Sequence, residues 1–399
     1  AWLLPGISSS TASKGTIAQT PKMISPYITW EKVDNANLGF DLMLFKNRLS
    51  ITADLYQRTT RDMIGPAESI PSISGIASED RAKVNNATLR NRGWELSVSW
   101  NDKLKCGFSY GVGFNVFNYK AVVTKYNNPE GIIYNNHTGL AANKGYYEGM
   151  DLGEIWGYRA DDLFLSNREI DDYLRKVDLT AFKSNDLWRR GDLKYIDTNG
   201  DGRVDGGKGT LSDHGDLQVI GNTTPKYSFG INLNLGYKGF EVSTLLQGVA
   251  KRDFPIAGSN YMFGGNNYNF KEHLDYFSTE NPNGYLPRLT GWKDDKDFLV
   301  NTGYNTTRYL LNAAYMRMKN LTVAYTFNKK QLKYIGISNL KVYVTCDNLF
   351  TITKLPKQFD PETLNQVNMS AGGDAKNTAP GLTSPMKQNG NGMVYPMNR

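Results

Sequence analysis

The chain of 399 residues has two cysteines, Cys106 and Cys346, and three histidines, His137, His214 and His273. Two thiols identify no redox compartment, and both fall on the apolar phase of expected strands, where cysteine behaves as a small hydrophobe. The histidines lie in expected loops, and none has a metal-ligand spacing. Nucleophile elbow and P-loop are both missing. The adjacent acids Asp161–Asp162 and Asp294–Asp295 read as solvated loop charges, so no enzyme is expected. No run approaches the roughly 18 apolar residues that a spanning helix needs. That leaves a soluble protein or a membrane protein of the barrel kind, whose signal per segment is weak. Basic runs are missing too. Net charge is +7, but the 46 Lys and Arg are scattered among 39 acids, which argues for no nucleic-acid partner. The opening AWLLPGISSS carries no basic leader or secretory cleavage site and no initiating Met; it reads as the inside of something longer.

What is abundant is alternation. Aromatic residues make up 12% of the chain, with 24 tyrosines, a composition suited to surfaces where apolar and wet zones meet. In YSFGINLNLGY, Tyr227, Phe229, Ile231, Leu233, Leu235 and Tyr237 alternate with small or polar residues, and the pattern turns at Lys238–Gly239. About eight strands follow from such periodicity. They are Ala36–Lys46, Leu49–Arg61, Val84–Asn101, Leu104–Tyr119, Lys226–Tyr237, Phe240–Lys251, Ala314–Phe327 and Leu340–Ile352. Most match the length of about 9–11 tilted residues that crosses a bilayer. The apolar runs on one phase, such as Leu38 to Leu44, Leu49 to Leu55, Trp94 to Trp100 and Cys106 to Val116, carry no charge, while Asp41, Asp54, Glu95 and Glu241 sit on the other phase. Charge on a lipid face costs about 2–4 kcal/mol at mid-membrane, so its absence is expected there.

A soluble sandwich has the same period, and loop lengths decide against it. Tight turns at Asn47–Arg48, Asp102–Lys103 and Lys238–Gly239 alternate with long connections at about 62–83, 120–225 and 252–313, and the tail at about 354–399 is long again. In an up-and-down barrel every second connection lies at the same end, so all the long ones share one side. The expected fold is therefore all-β: an antiparallel up-and-down transmembrane β-barrel segment with long extracellular loops. Within the largest loop, Ser166 to Glu169 reads as a capping box. Ile170, Tyr173, Leu174 and Val177 then recur at helical spacing.

One stretch suggests chemistry. DTNGDGRVD places oxygen ligands at Asp197, Asn199, Asp201 and Asp205, with the Arg203 carbonyl between them and Gly202 at the sharp bend. This is the spacing with which a calcium loop surrounds a hard cation. The glutamate expected at the end is replaced by Lys208, so Asp213, Asp216 or water would complete the set. Without metal, the stretch is an Asp/Asn/Gly turn. Loop aromatics, among them Trp156, Tyr158, Tyr261, Tyr268 and Trp292, are candidate substrate-binding residues, or else cores that hold the loops still.

Several segments together resemble one family, in its order: ITWEKVDNANLGFDLMLFKNRLSITADLYQRTTRDMI, ATLRNRGWELSVSW, EIWGYRADDLFLSNREIDDY, GDLKYIDTNGDGRVD, IGNTTPKYSFGINLNLGYKGFEVSTLLQG, AAYMRMKNLTVAYTF and LKVYVTCDNLFTIT. The chain resembles the C-terminal part of SusC/RagA-type TonB-dependent transporters of Bacteroidetes outer membranes. That resemblance implies a barrel of about 22 strands closed by a plug, of which this chain supplies about eight and lacks the N-terminal plug. It implies active import of a glycan or peptide oligomer, with a SusD-like surface lipoprotein over the mouth and the TonB complex as energy source. The alternatives are a passive barrel or surface adhesin, and a secreted all-β carbohydrate-binding protein.

Overall fold

The computed structural model describes residues 23–65, 81–133, 146–160, 162–257, 271–290, 296–328, 332 and 336–364. Its frame is a nine-stranded antiparallel sheet. The strands are β1 (Lys32–Leu44), β2 (Leu49–Gly65), β3 (Val84–Lys103), β4 (Ser109–Lys125), β5 (Lys226–Tyr237), β6 (Phe240–Lys251), β7 (Tyr315–Thr326), β8 (Lys341–Asp347) and β9 (Thr351–Thr353). β1 to β8 pair in chain order, and β9 adds to the start of β7 beyond β8. This is a meander, so the short connections after β1, β3 and β5, and the longer one between Thr326 and Lys341 after β7, leave one end of the sheet. The long ones after β2, β4 and β6 leave the other.

The β5–β6 hairpin follows its sequence closely. Lys238 and Gly239 have φ of 49° and 92°, the left-handed pair that a two-residue hairpin turn demands. The third hairpin strand differs from expectation. β3 runs through Asp102 and Lys103, and the turn is Leu104–Phe108, closed by Leu104 N donating to Phe108 O. Gly107 at φ 89° makes that bend. Cys106 is therefore an exposed turn residue and not part of an apolar strand face. Cys346 does sit on a strand, β8, and both thiols are free. Besides β3, three strands are longer than expected: β1 starts at Lys32, β2 reaches Gly65 and β4 reaches Lys125. In β4 the extra turn's worth of chain is held because Val123 packs into a loop core. The last expected strand is split, with Asn348 at φ 52° between β8 and β9.

Register carries the alternation across the sheet. Leu42, Ile51, Val98, Phe114, Ile231 and Leu246 lie opposite one another in turn. One residue out of phase, Asp41, Thr52, Ser97, Asn115, Gly230 and Gln247 form the adjoining row on the other face. The apolar row has no protein against it: Phe40, Leu55, Val112, Phe114, Phe240, Val323 and Val344 are all exposed. Neither hydrophobic core contains a residue of that face from mid-sheet. The buried strand residues near the long connections, Ala121, Val123, Val249 and Tyr315, are on the polar phase. A two-layer sandwich would bury the opposite set.

The bare band has measurable edges. At the short-turn end, rings meet in a belt: Phe45 with Trp100 at 5.9 Å, Phe108 with Tyr237 at 6.4 Å and Phe240 with Tyr325 at 4.6 Å. Along β5 the band runs from Tyr237 to Tyr227, about 34 Å of extended chain. At a tilt of about 45° this becomes a height of about 25 Å, the apolar thickness of an outer-membrane barrel. Aromatic rings at such edges favour the headgroup level. Among the described residues no helix is long and apolar enough to cross a membrane, so any crossing is made by strands.

Candidate functional site

The described parts of the connections after β4 and β6, with the segment after β9, fold into a cap at one end of the sheet. Short strand pairs set its frame: Glu154–Gly157 with Gln218–Asn222, Asp162–Leu163 with Leu193–Lys194, and Asp253–Pro255 with Leu310–Asn312. The expected helix is present as α1 (Asn167–Leu174). Ser166 Oγ accepts from Glu169 N at 3.1 Å, and Glu169 returns by accepting from Leu165 N at 2.9 Å. Ile170, Tyr173, Leu174 and Val177 all pack on the cap's core, although Val177 lies past the helix end. That core joins the connections after β4 and β6 to the segment after β9: Phe164, Leu193 and Tyr195 come from the first, Ile256, Leu286 and Val300 from the second, and Leu355 and Phe359 from the third.

A buried ion network locks two of these connections together. Asp192 is fully buried. Its carboxylate accepts from Lys183 Nζ at 2.7 Å, Arg288 Nε at 2.6 Å, Asn301 Nδ2 at 2.9 Å and Arg189 N at 2.8 Å. Lys183, only 1% exposed, also reaches Asp297 at 2.6 Å, and Arg288 bonds the same carboxylate. Lys183 and Asp192 are shut off from water, Arg288 and Asp297 keep 21% and 23% of their side chains exposed, and the two cations and two anions satisfy one another, which is the condition under which buried charge is tolerated. Burial alone would push the Asp297 carboxyl up, but its bonds to Lys183 and Arg288 hold it below its ordinary value. A second cluster fastens the segment after β9: Arg317 donates to Asp360 at 3.0 Å and to Glu362 at 2.6 Å, and Lys319 meets Glu362 at 2.9 Å. Sequence reading found neither cluster, because its members are far apart in the chain.

The acidic loop folds back on itself. Asp197 accepts from Gly200 N at 2.6 Å and Gly202 N at 2.8 Å; Asn199 accepts from Asp201 N at 2.9 Å, and Asp201 from Arg203 N at 2.8 Å. Asp205 accepts from Gly207 N at 2.7 Å and lies 3.0 Å from the Arg203 guanidinium. Gly200 and Gly202 have φ of 80° and 81°. Asp216, an added ligand on the sequence reading, is buried. It spends its oxygens on Thr198 N at 2.6 Å and Asp205 N at 3.0 Å. Asp213 faces Lys208 at 3.6 Å. The donor set is all oxygen, as a hard cation requires. Among the described residues, no three His, Cys, Asp or Glu side chains converge on one point.

Of the candidate aromatics, Trp156 is half-buried. Its Nε1 donates to Tyr147 OH at 3.3 Å, and its ring lies 5.7 Å from that of His214. It keeps an accessible part. Tyr158 does not: it is 4% exposed and packs edge-on to Phe182 at 5.1 Å and Tyr195 at 5.6 Å. A ring enclosed on its faces has none to offer a ligand, so of the two roles open to it Tyr158 takes that of a core residue holding the loop still. Tyr261, Tyr268 and Trp292, with Asp161, Asp294, Asp295 and His137, lie outside the described residues. His273 is buried in a short 3-10 turn, Lys271–Leu274, where a loop was expected. Below the cap, the polar face of the sheet is open and lined by groups such as Arg48, Asn101, Asn234, Ser243 and Thr322.

A sheet wall with one bare apolar face, one wet face and a folded cap at one end defines a barrel segment of outer-membrane type. The match to known proteins makes this specific. Residues 4–349 match the model of the TonB dependent receptor-like, beta-barrel family, and the chain belongs to that family. TonB-dependent receptor P3 of Formosa agariphila is 25% identical over 338 residues, 84% of this chain and 31% of that protein. TonB-dependent receptor SusC of Bacteroides thetaiotaomicron is 22% identical over 354 residues, 87% of this chain and 31% of that protein. The chain thus spans about a third of these relatives' length. The solved RagAB peptide transporter superposes with a TM-score of 0.57 at 22% identity, covering 84% of this chain and 33% of the other; this likeness concerns the fold.

Proposed function

We propose that the chain is a wall segment and part of the extracellular mouth of an outer-membrane importer that takes up a glycan or peptide oligomer. The observation that carries this reading is the sidedness of the sheet. Its apolar face is bare over a bilayer's thickness, while the cap packs against the polar face, where cargo would pass. Among the described residues no strand pairs with the outer edges of β1 and β8, which supports a place in a larger barrel, of about 22 strands by the family's pattern. In this reading a plug fills the lumen, the TonB complex supplies the energy and a SusD-like lipoprotein closes over the long loops. Cargo crosses without covalent change. Of Trp156 and Tyr158, Trp156 is the one with surface left to stack on a sugar ring or peptide.

The test is uptake of fluorescent glycan and peptide oligomers by cells with and without this gene, each in the presence and absence of an energised TonB complex. Uptake that needs both supports import. Uptake independent of TonB points to a passive barrel. Release of the protein from envelopes by carbonate without detergent ends the membrane reading altogether.

Calcium in the Asp197–Asp205 loop is a second proposal, resting on the oxygen-only set Asp197, Asn199, Asp201, Asp205 and the Arg203 carbonyl. It predicts a higher melting temperature in calcium than in chelator, and that the Asp197→Ala variant loses the difference. An unchanged melting temperature on chelation removes it.

A further inference from the structure

The outward phase of the sheet changes character abruptly beyond Trp94. Toward the short turns it is apolar; toward the long connections it is cationic on β3 and β4. Ala36, Gln57, Arg92 and Lys120 form the first row past Trp94, and Asp34, Thr59, Arg90 and Val122 the next. Arg92 and Lys120 stand directly opposite each other on adjacent strands, an arrangement that destabilises a sheet unless an anion lies between or above the two charges. The acids nearby are taken: Asp34 pairs with Arg61, and Asp62 with Lys32 at 2.9 Å. Among the described residues no carboxylate pairs with Arg90, Arg92 or Lys120, and Arg92 bonds only the neutral Gln57, at 2.6 Å. Arg92 and Lys120 are exposed.

We propose that Arg90, Arg92 and Lys120 form a docking surface for the phosphorylated headgroups of membrane lipid. This rests on the reading that the chain crosses the outer membrane. At barrel tilt the first row, with Arg92 and Lys120, stands about 5 Å beyond the apolar edge and the second, with Arg90, about 10 Å; a headgroup layer extends about 5–8 Å beyond the hydrocarbon, so the first row lies within it and the second at its outer margin. Lipid chains would lie along Leu38, Leu55 and Trp94, and their phosphates would meet the three cations. Charge complementarity at this depth selects a lipid over a free anion, because a free anion gains nothing from the apolar band. Basic clusters just outside a membrane's apolar layer bind anionic headgroups by the same physics.

The experiment uses the intact receptor carrying this chain, purified in detergent. It is titrated with bisphosphorylated lipid A, with the same lipid after removal of its phosphates, and with inorganic phosphate. Each basic residue near an anionic surface is worth about fivefold in affinity, so replacing all three by glutamine is expected to weaken lipid A binding about a hundredfold. The single variant Lys120→Gln, at an exposed position, should give a partial loss and covers the case where the triple variant does not fold. Lys105→Gln, in the turn at the other end, should change nothing. Equal binding by wild type and variants, equal binding of dephosphorylated lipid, or displacement by inorganic phosphate alone would overturn the proposal. Detergent dependence is scored separately: a receptor that stays in solution without detergent refutes the membrane reading, whereas one that needs detergent but ignores lipid phosphate refutes only this inference.

Discussion

Replacing Asp192 by alanine is expected to cost the cap about 3–5 kcal/mol, because it strands buried charge. Lys183, Arg288 and Asn301 all converge on that carboxylate, and Lys183 has no exposed side-chain surface through which water could replace it. The loss should appear as faster amide exchange in the chain around Phe164–Tyr195 and Leu286–Tyr309, with the strands unaffected. Lys208→Ala, which removes an exposed partner of Asp213, serves as control and should change stability by less than about 1 kcal/mol. Acid should act in the same direction. The Asp297 carboxyl is held below its ordinary value in the folded cap, so its contribution is present above the ordinary carboxylate range and fades as pH falls through and below it. Unchanged exchange in Asp192→Ala would mean that the two connections are held by their apolar core alone.

An arginine at position 231 should destabilise the membrane-inserted protein by about 2–4 kcal/mol, while an arginine at position 232 should be nearly neutral. The two positions are neighbours in the chain and differ only in the face they occupy. Ile231 lies in the apolar row between Phe114 and Leu246, whereas Asn232 is exposed on the polar face between Gly113 and Leu245. Unfolding in denaturant from lipid vesicles measures both variants on one scale. Equal costs would mean that the two faces see the same surroundings, which an inserted wall does not allow.

The strands were legible wherever alternation ran without interruption. Both strands of the Tyr227 hairpin end where the pattern ends, because Lys238–Gly239 is a turn by chemistry as well as by position. The fourth strand was misplaced because Leu104, Cys106 and Phe108 mimic a strand phase while Gly107 breaks the chain there. The start of β1 was missed because Val33 is the one apolar residue in Lys32–Asn35, too little to show a phase. Helix α1 was readable because its cap is local: Ser166 and Glu169 are three residues apart. The Asp192 network was not, since Lys183 and Asp297 lie 114 residues apart and no short-range pattern links them. Tyr158 illustrates the same limit from the other side. An aromatic residue in a long loop looks available to a ligand until the loop's own core is assembled around it.

The account depends on which surface of the sheet meets lipid. Nitroxide labels placed one at a time from Ser228 to Leu235, with Cys106 and Cys346 replaced by serine, measure this in lipid vesicles. Collision rates with dissolved oxygen report hydrocarbon, and those with a water-soluble nickel chelate report water. The prediction is a two-residue oscillation, with oxygen favoured at 229, 231, 233 and 235 and nickel at 228, 230, 232 and 234. An oscillation of the opposite phase, or none at all, would contradict it.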